Sequence, residues 1–145
     1  MKGSNPMRKA ISGFLCAMMI LSMCFVPAHA AIQSNKYISR YGGQIVAAGN
    51  GVIHVDFNTV GTGVLDVVGA EYIRIYENGN LVKVYSYINP LYTSSMVATN
   101  TWIFYGGVNY QGTPGKTYYA VIVHYGEKSG GSGVEGSITA SVIAT

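Results

Sequence analysis

His54 and Asp56 stand two residues apart in the run Val52-Ile53-His54-Val55-Asp56-Phe57, where apolar and polar residues alternate. On a strand that spacing puts both side chains on one face, roughly 7 Å apart along it. Such a pair supplies half of a metal site, or a general base with its orienting carboxylate. A third ligand would have to come from a neighbouring strand, and no sequence signal marks one, so the pair reads as part of a solvated polar face. Nucleophilic catalysis has as little to draw on. There is no Gly-x-Ser-x-Gly elbow, both cysteines (Cys16 and Cys24) lie in an apolar N-terminal run, and a serine nucleophile would need His54 or His124 as its base. Ser132, in Ser129-Gly130-Gly131-Ser132-Gly133, reads as part of a flexible linker. Of the six acids, Asp66, Glu77, Glu127 and Glu135 fall at predicted turns or loops rather than as the facing carboxylates of a glycosidase. No dinucleotide fingerprint, phosphate loop or EF-hand is present. These readings predict a protein that is not an enzyme and uses no metal or cofactor.

Tyrosine is the residue type that rises above this background. All twelve tyrosines lie after Ala31. Strand alternation points Tyr72 and Tyr76 outward on a third strand, Tyr85 and Tyr87 on a fourth, and Tyr119 and Tyr125 on a sixth. If those strands share a sheet, the six phenols form one solvent-facing surface together with Arg74 and Lys83. Tyrosine offers large, stiff, amphipathic contact area at low entropic cost. Such a platform can stack sugars, hold peptides or meet another copy of itself. The same residues also act as cross-strand pairs that stabilise a sheet by roughly 0.2–1 kcal/mol each with no ligand.

The elements that must position these residues are strands throughout, since no long stretch carries a 3.6-residue apolar period. Lys36 to Arg40 and Gln44 to Ala48 make a first strand, broken at Gly42-Gly43, and Gly49-Asn50-Gly51 is a turn. Val52 to Val60 follows, ended by Gly61-Thr62-Gly63, with Val64 to Ala70 a turn-rich crossover. Glu71 to Glu77 is the third strand, with Ile73 and Ile75 inward. Asn78-Gly79 is a strong hairpin signal, because both central residues of a type I′ turn need positive φ. It leads into Leu81 to Tyr87, where Val82 and Val84 are predicted inward. After a polar loop from Asn89-Pro90, Trp102 to Tyr110 is a strand with Phe104, Val108 and Tyr110 inward. Thr113-Pro114-Gly115 reads as a type II turn. Tyr118 to Tyr125 is the sixth strand, Gly126 to Gly136 a flexible glycine-serine loop, and Ser137 to Ile143 the last strand. The predicted fold class is therefore all-β, a single antiparallel sandwich of about seven strands, immunoglobulin- or fibronectin III-like. Gly115-Lys116-Thr117-Tyr118 resembles the tyrosine corner of such domains, and His124 takes a place where a large aromatic is expected.

Ahead of this domain, Lys2, Arg8 and Lys9, an apolar run from Ile11 to Val26 and Ala28-His29-Ala30 have the form of a secretory signal peptide cleaved after Ala30. The expected division is residues 1–30 as leader and 31–145 as the β-domain. Three of the nine cationic residues belong to the leader, which leaves six Lys and Arg against six Asp and Glu. The basic balance of the full chain therefore vanishes on maturation, and nucleic acid is not an expected partner. The domain holds no cysteine, so it must be disulfide-free, and no basic amphipathic helix prepares it for stable membrane insertion.

Val60-Gly61-Thr62-Gly63, then Gly69-Ala70 leading into Ile73-Arg74-Ile75-Tyr76-Glu77, resemble an uncharacterised family of small secreted single-domain β-proteins from Clostridia-type Gram-positive bacteria. So do Tyr110-Gln111-Gly112-Thr113, Gly115-Lys116 and Tyr118-Tyr119-Ala120. The resemblance implies a signal peptide followed by one β-domain and carries no catalytic assignment. Taken together, the sequence predicts a secreted, non-catalytic β-sandwich that binds an extracellular glycan, a protein or itself. A small exported antagonist or toxin is the alternative, and a hydrolase follows it.

Overall fold

The computed structural model describes residues 35–145. The predicted leader, the cleavage expected after Ala30 and both cysteines lie outside the described residues. The domain is all-β, a single antiparallel sheet of seven strands with one short helix. In chain order these are β1 (Ile38–Gly49), β2 (Val52–Glu77), β3 (Asn80–Ser86), α1 (Thr93–Met96), β4 (Val97–Gln111), β5 (Thr117–Lys128), β6 (Gly131–Ile138) and β7 (Val142–Ile143).

β2, with 26 residues, is the axis of the molecule. Its first half pairs with β1 on one side and β4 on the other, in registers such as Ile45↔Val55 and Val55↔Val108. Its second half pairs with β3 and β5, where Ile73 lies opposite both Tyr85 and Ile122. β6 and β7 pair with β5. The buried residues of both halves form one cluster, with Ile45, Ile53, Val55 and Phe57 from the first half and Ile73, Ile75, Tyr118, Ala120 and Ile122 from the second. β1 reaches β5 across this core. A Cβ added at Gly43 would lie 2.2 Å from Ile122 Cδ1, so the missing side chain is what lets the two strands approach.

Five sequence expectations change here. β1 runs unbroken through Gly42-Gly43, and β2 runs unbroken through Gly61-Thr62-Gly63 and the supposed crossover. Between Val60 and Leu65, β2 advances five residues while β4 advances two, from Ile103 to Thr101. The strand is irregular here, and the buried positions lose their alternation beyond Leu65, with Val68, Gly69 and Ala70 buried in succession. With the period of two lost, the segment no longer reads as strand.

The supposed flexible loop from Gly126 to Gly136 is instead a hairpin. β5 continues to Lys128, Ser129 and Gly130 turn with φ of 53° and 76°, and β6 returns from Gly131. Its glycines make room for the chain entering β1: an added Cβ would meet Tyr37 Oη at 2.0 Å from Gly131 and Asn35 Oδ1 at 2.3 Å from Gly133. The predicted last strand divides, since β6 ends at Ile138 and β7 holds only Val142–Ile143.

The turns were legible. Asn78 and Gly79 have φ of 47° and 87°, and Gly115 has φ of 80° with a Lys116 N–H to Thr113 O bond of 3.2 Å closing its turn. Ile73 and Ile75 are inward as expected, and so is Val108, with Phe104 and Tyr110 packed against the core.

The fifth change concerns β3. Tyr76 pairs with Leu81 but Ile75 pairs with Lys83, which leaves Val82 as an unpaired extra residue. A one-residue slip sends every later side chain to the opposite face. Tyr85 therefore enters the core opposite Ile73, and Val82 and Val84 turn outward, 39% and 44% exposed.

Candidate functional site

On β2, Tyr72, Arg74 and Tyr76 alternate with buried Ile73 and Ile75 and face solvent. Tyr119, Val121 and Val123 do the same on β5, alternating with buried Tyr118, Ala120 and Ile122. The register sets Tyr76 beside Tyr119, and their rings stack at 4.8 Å with 1° between planes. The Arg74 guanidinium lies 5.6 Å from the Tyr72 ring centre, within cation–π range. Valines extend this surface to one side through β3, and β6 extends it to the other through Val134 and Ile138, 51% and 72% exposed. Four strands thus present a sheet face that is almost wholly aromatic and β-branched.

The eight residues expected on this face divide. Tyr72, Arg74, Tyr76 and Tyr119 are together on it. Tyr125 follows on the outward side of β5, and Tyr87 stacks on it at 5.5 Å from just beyond the end of β3. The Tyr125 hydroxyl donates to Glu127 Oε2 at 2.6 Å, and its pKa is raised, first by burial and then by that carboxylate. Tyr85 is not there. The bulge at Val82 buries it, its hydroxyl donates to Asn109 O at 2.6 Å, and its ring packs edge-on against Tyr92. Burial pushes its pKa up to about 12. Lys83 shares the parity of Tyr85, with its ammonium 5.3 Å from the Tyr85 ring centre, and is likewise absent from the outer face. Val82, Val84, Val134 and Ile138 were missed. Val134 and Ile138 lay next to or within segments whose pairing was not recognised, and the two valines took the core positions in an unbulged register.

His54 and Asp56 are closer than their strand spacing implies. The ring folds over so that Nε2 meets Asp56 Oδ1 at 2.6 Å, while Nδ1 meets the Asn109 amide oxygen. Gln44 Nε2 donates to the other Asp56 oxygen at 3.2 Å. The neighbouring strands do contribute a third and a fourth partner, but both are amides. Among the described residues no group of three or more His, Cys, Asp or Glu side chains gathers.

A serine and a histidine do meet elsewhere. His124 is fully buried, with Nδ1 2.8 Å from Thr59 Oγ1 and Nε2 2.7 Å from Ser137 Oγ. Thr59 gives its one hydroxyl proton to Gly69 O at 2.8 Å, so it must accept from Nδ1–H, and Nε2 accepts from Ser137. That tautomer is the one a serine–histidine dyad needs. However, burial between the Tyr41 and Phe57 rings lowers the His124 pKa to about 4, a poor base near neutral pH. The arrangement satisfies buried polar groups, which explains a histidine where an aromatic was expected.

Comparison with known proteins adds no functional label: no family model matches this chain, and no curated protein and no solved structure matches it.

Proposed function

We propose that the chain is an exported, non-catalytic binding module, released by cleavage after Ala30, which holds a protein surface through the tyrosine–valine face of β3, β2, β5 and β6. The observation that carries this reading is the composition of that face. Val82, Val84, Val134 and Ile138 stand exposed around the stacked Tyr76 and Tyr119. Contiguous apolar surface of this kind marks an interaction site in a folded domain. The β-branched side chains favour a protein over a sugar, because they offer neither flat rings nor hydrogen bonds to hydroxyls.

The fold and origin that accompany this reading are an immunoglobulin- or fibronectin III-like sandwich, with β2 crossing from one layer to the other, in a secreted family of Gram-positive type. The shared core of the two β2 halves and the back-bond of Tyr118 to the Thr113 N–H support the sandwich.

The first partner implied is a second copy of the chain, since two apolar sheet faces pack stably against each other about 10 Å apart. Sedimentation of the purified protein between micromolar and millimolar concentration tests it. Association that weakens in Ile138→Asp and Val84→Asp, with thermal stability nearly kept, is the expected result. A strict monomer, or variants that only lose stability, would remove self-association as the role of this face.

A further inference from the structure

The outer face of β1, β2 and β4 carries a second arrangement, separate from the tyrosine face. β2 presents Asp56 and Asn58 at its centre, and each flanking strand places glycine beside them: Gly42 opposite Asn58, Gly107 opposite Asp56. An added Cβ at Gly42 would stand 3.3 Å from Asn58 Oδ1, and one at Gly107 would stand 3.1 Å from Asp56 Oδ1. Beside these positions lies a depression of about 300 Å³ lined by Gly43, Gln44, Asp56, Phe57, Asn58 and Tyr105. Tyr105 pairs with Asn58 across the sheet and is 72% exposed. Among the described residues no other ring packs on it.

The chemistry of these walls selects an occupant. No cation lines the depression, and Asp56 would repel phosphate, sulfate or uronate. A divalent ion would find one carboxylate and no second acidic ligand. The donors and acceptors present are amides and a carboxylate, held in place beforehand: Asp56 is fixed by His54 on one oxygen and by Gln44 on the other. A ring with several hydroxyls and one apolar face matches this set, its hydroxyls bridging Gln44, Asp56 and Asn58 and its C–H face lying on Tyr105.

We propose that this depression is a subsite for a neutral saccharide. The site binds and does not hydrolyse, because a glycosidase needs two carboxyl groups flanking the bond and Asp56 stands alone here. The proposal uses none of the residues of the tyrosine–valine face, so each stands or falls by itself.

Titration of the purified protein with chitotetraose, cellotetraose and mannotetraose, followed by amide chemical shifts, tests this, with heparin as the anionic comparison. At least one tetrasaccharide should bind, with a dissociation constant between about 10 μM and 5 mM. The shifts should centre on Gln44, Asp56, Asn58 and Tyr105. Tyr105→Ala and Asn58→Ala should each weaken binding by about tenfold or more. Tyr105 is exposed, so its variant should melt with the wild type; if it does not, Asn58→Ala alone decides. Absence of binding by all three sugars, binding of heparin only, binding indifferent to both variants, or shifts confined to Tyr72, Tyr76 and Tyr119 would each overturn the proposal. Self-association would be untouched by any of these results.

Discussion

Tyr118 and Tyr119 are adjacent and have opposite surroundings. Tyr118 is fully buried, accepts the Thr113 N–H at 2.8 Å and donates to a Glu77 carboxylate oxygen. Tyr118→Phe should cost about 1–3 kcal/mol, the range for a hydrogen bond to a charged group, while Tyr119→Phe should be near neutral. Urea denaturation of the two variants checks this, and equal losses would contradict it. His124 gives a second prediction at this scale. Its folded pKa is about 4, below the ordinary value of 6.5 that applies once the chain unfolds. As pH falls the unfolded chain takes up the proton first. Stability from this group is therefore complete above pH 6.5, declines between 6.5 and 4, and is lost below. The difference in pKa corresponds to roughly 3 kcal/mol. His124→Asn should be less stable at neutral pH and should lack this slope between pH 6.5 and 5, above most carboxylate titration. A slope equal to that of the wild type would mean that another group governs acid stability. The aromatic expectation at position 124 read the burial correctly and missed the polar network, because Thr59 and Ser137 are brought to it only by distant pairings.

At the scale of elements, what the sequence made legible was local. Asn78-Gly79 and Thr113-Pro114-Gly115 announce their turns through residues that need particular φ, and short alternation gave the inward faces of Ile53–Phe57 and Ile73–Ile75. What stayed hidden was each place where a bulge resets parity, since a bulge is a relation between two strands. Val82 tests this account. With Val82 deleted, Leu81 and Lys83 become consecutive and keep their pairs, Tyr76 and Ile75. Tyr85 then stays inward, and the deletion should cost about 1 kcal/mol or less. Deleting Val84 instead moves Tyr85 opposite Arg74 and out of the core, a loss of about 3–5 kcal/mol on the scale of large aromatic truncations. Thermal melts of the two deletions should rank in that order, and the reverse ranking would show that the bulge itself is what the fold needs. Gly69 offers a sharper local test. A Cβ there would lie 2.0 Å from Met96 O, at a backbone φ of 155°. Gly69→Ala should accordingly be among the most damaging single changes, visible as a large fall in melting temperature.

At the scale of the molecule, the all-β character was legible before any pairing was known, since short β-branched runs between glycine turns read as strands. The tyrosine–valine face was half legible. Alternation found Tyr72, Arg74, Tyr76 and Tyr119, whereas Tyr85 and Lys83 were lost and four aliphatic residues gained through β3 and β6. The Asp56–Asn58 depression was not legible, because its walls come from three strands, with Gln44 paired to Asp56 and Tyr105 paired to Asn58. The absence of cysteine after Ala31, together with the absence of a dense ligand cluster among the described residues, predicts stability indifferent to reductant and chelator. Melting temperatures with and without EDTA should coincide, and a fall of many degrees would reveal a structural metal.

β2 has a consequence for the order of events as the chain is made. Its first residues pair with the last of β4, Val52 with Gln111, and its final turn-ward residues pair with the start of β5, Glu77 with Tyr118. A chain threading N-terminus first through a ribosome or a translocation channel can form only the β1–β2 and β2–β3 hairpins until those later strands emerge. Hairpins of two strands are marginal in water. The domain should therefore remain unfolded until nearly all of it is through, and then fold slowly, on the millisecond-to-second scale of chains dominated by distant contacts. Late folding of this kind keeps a polypeptide threadable for as long as a channel needs it to be.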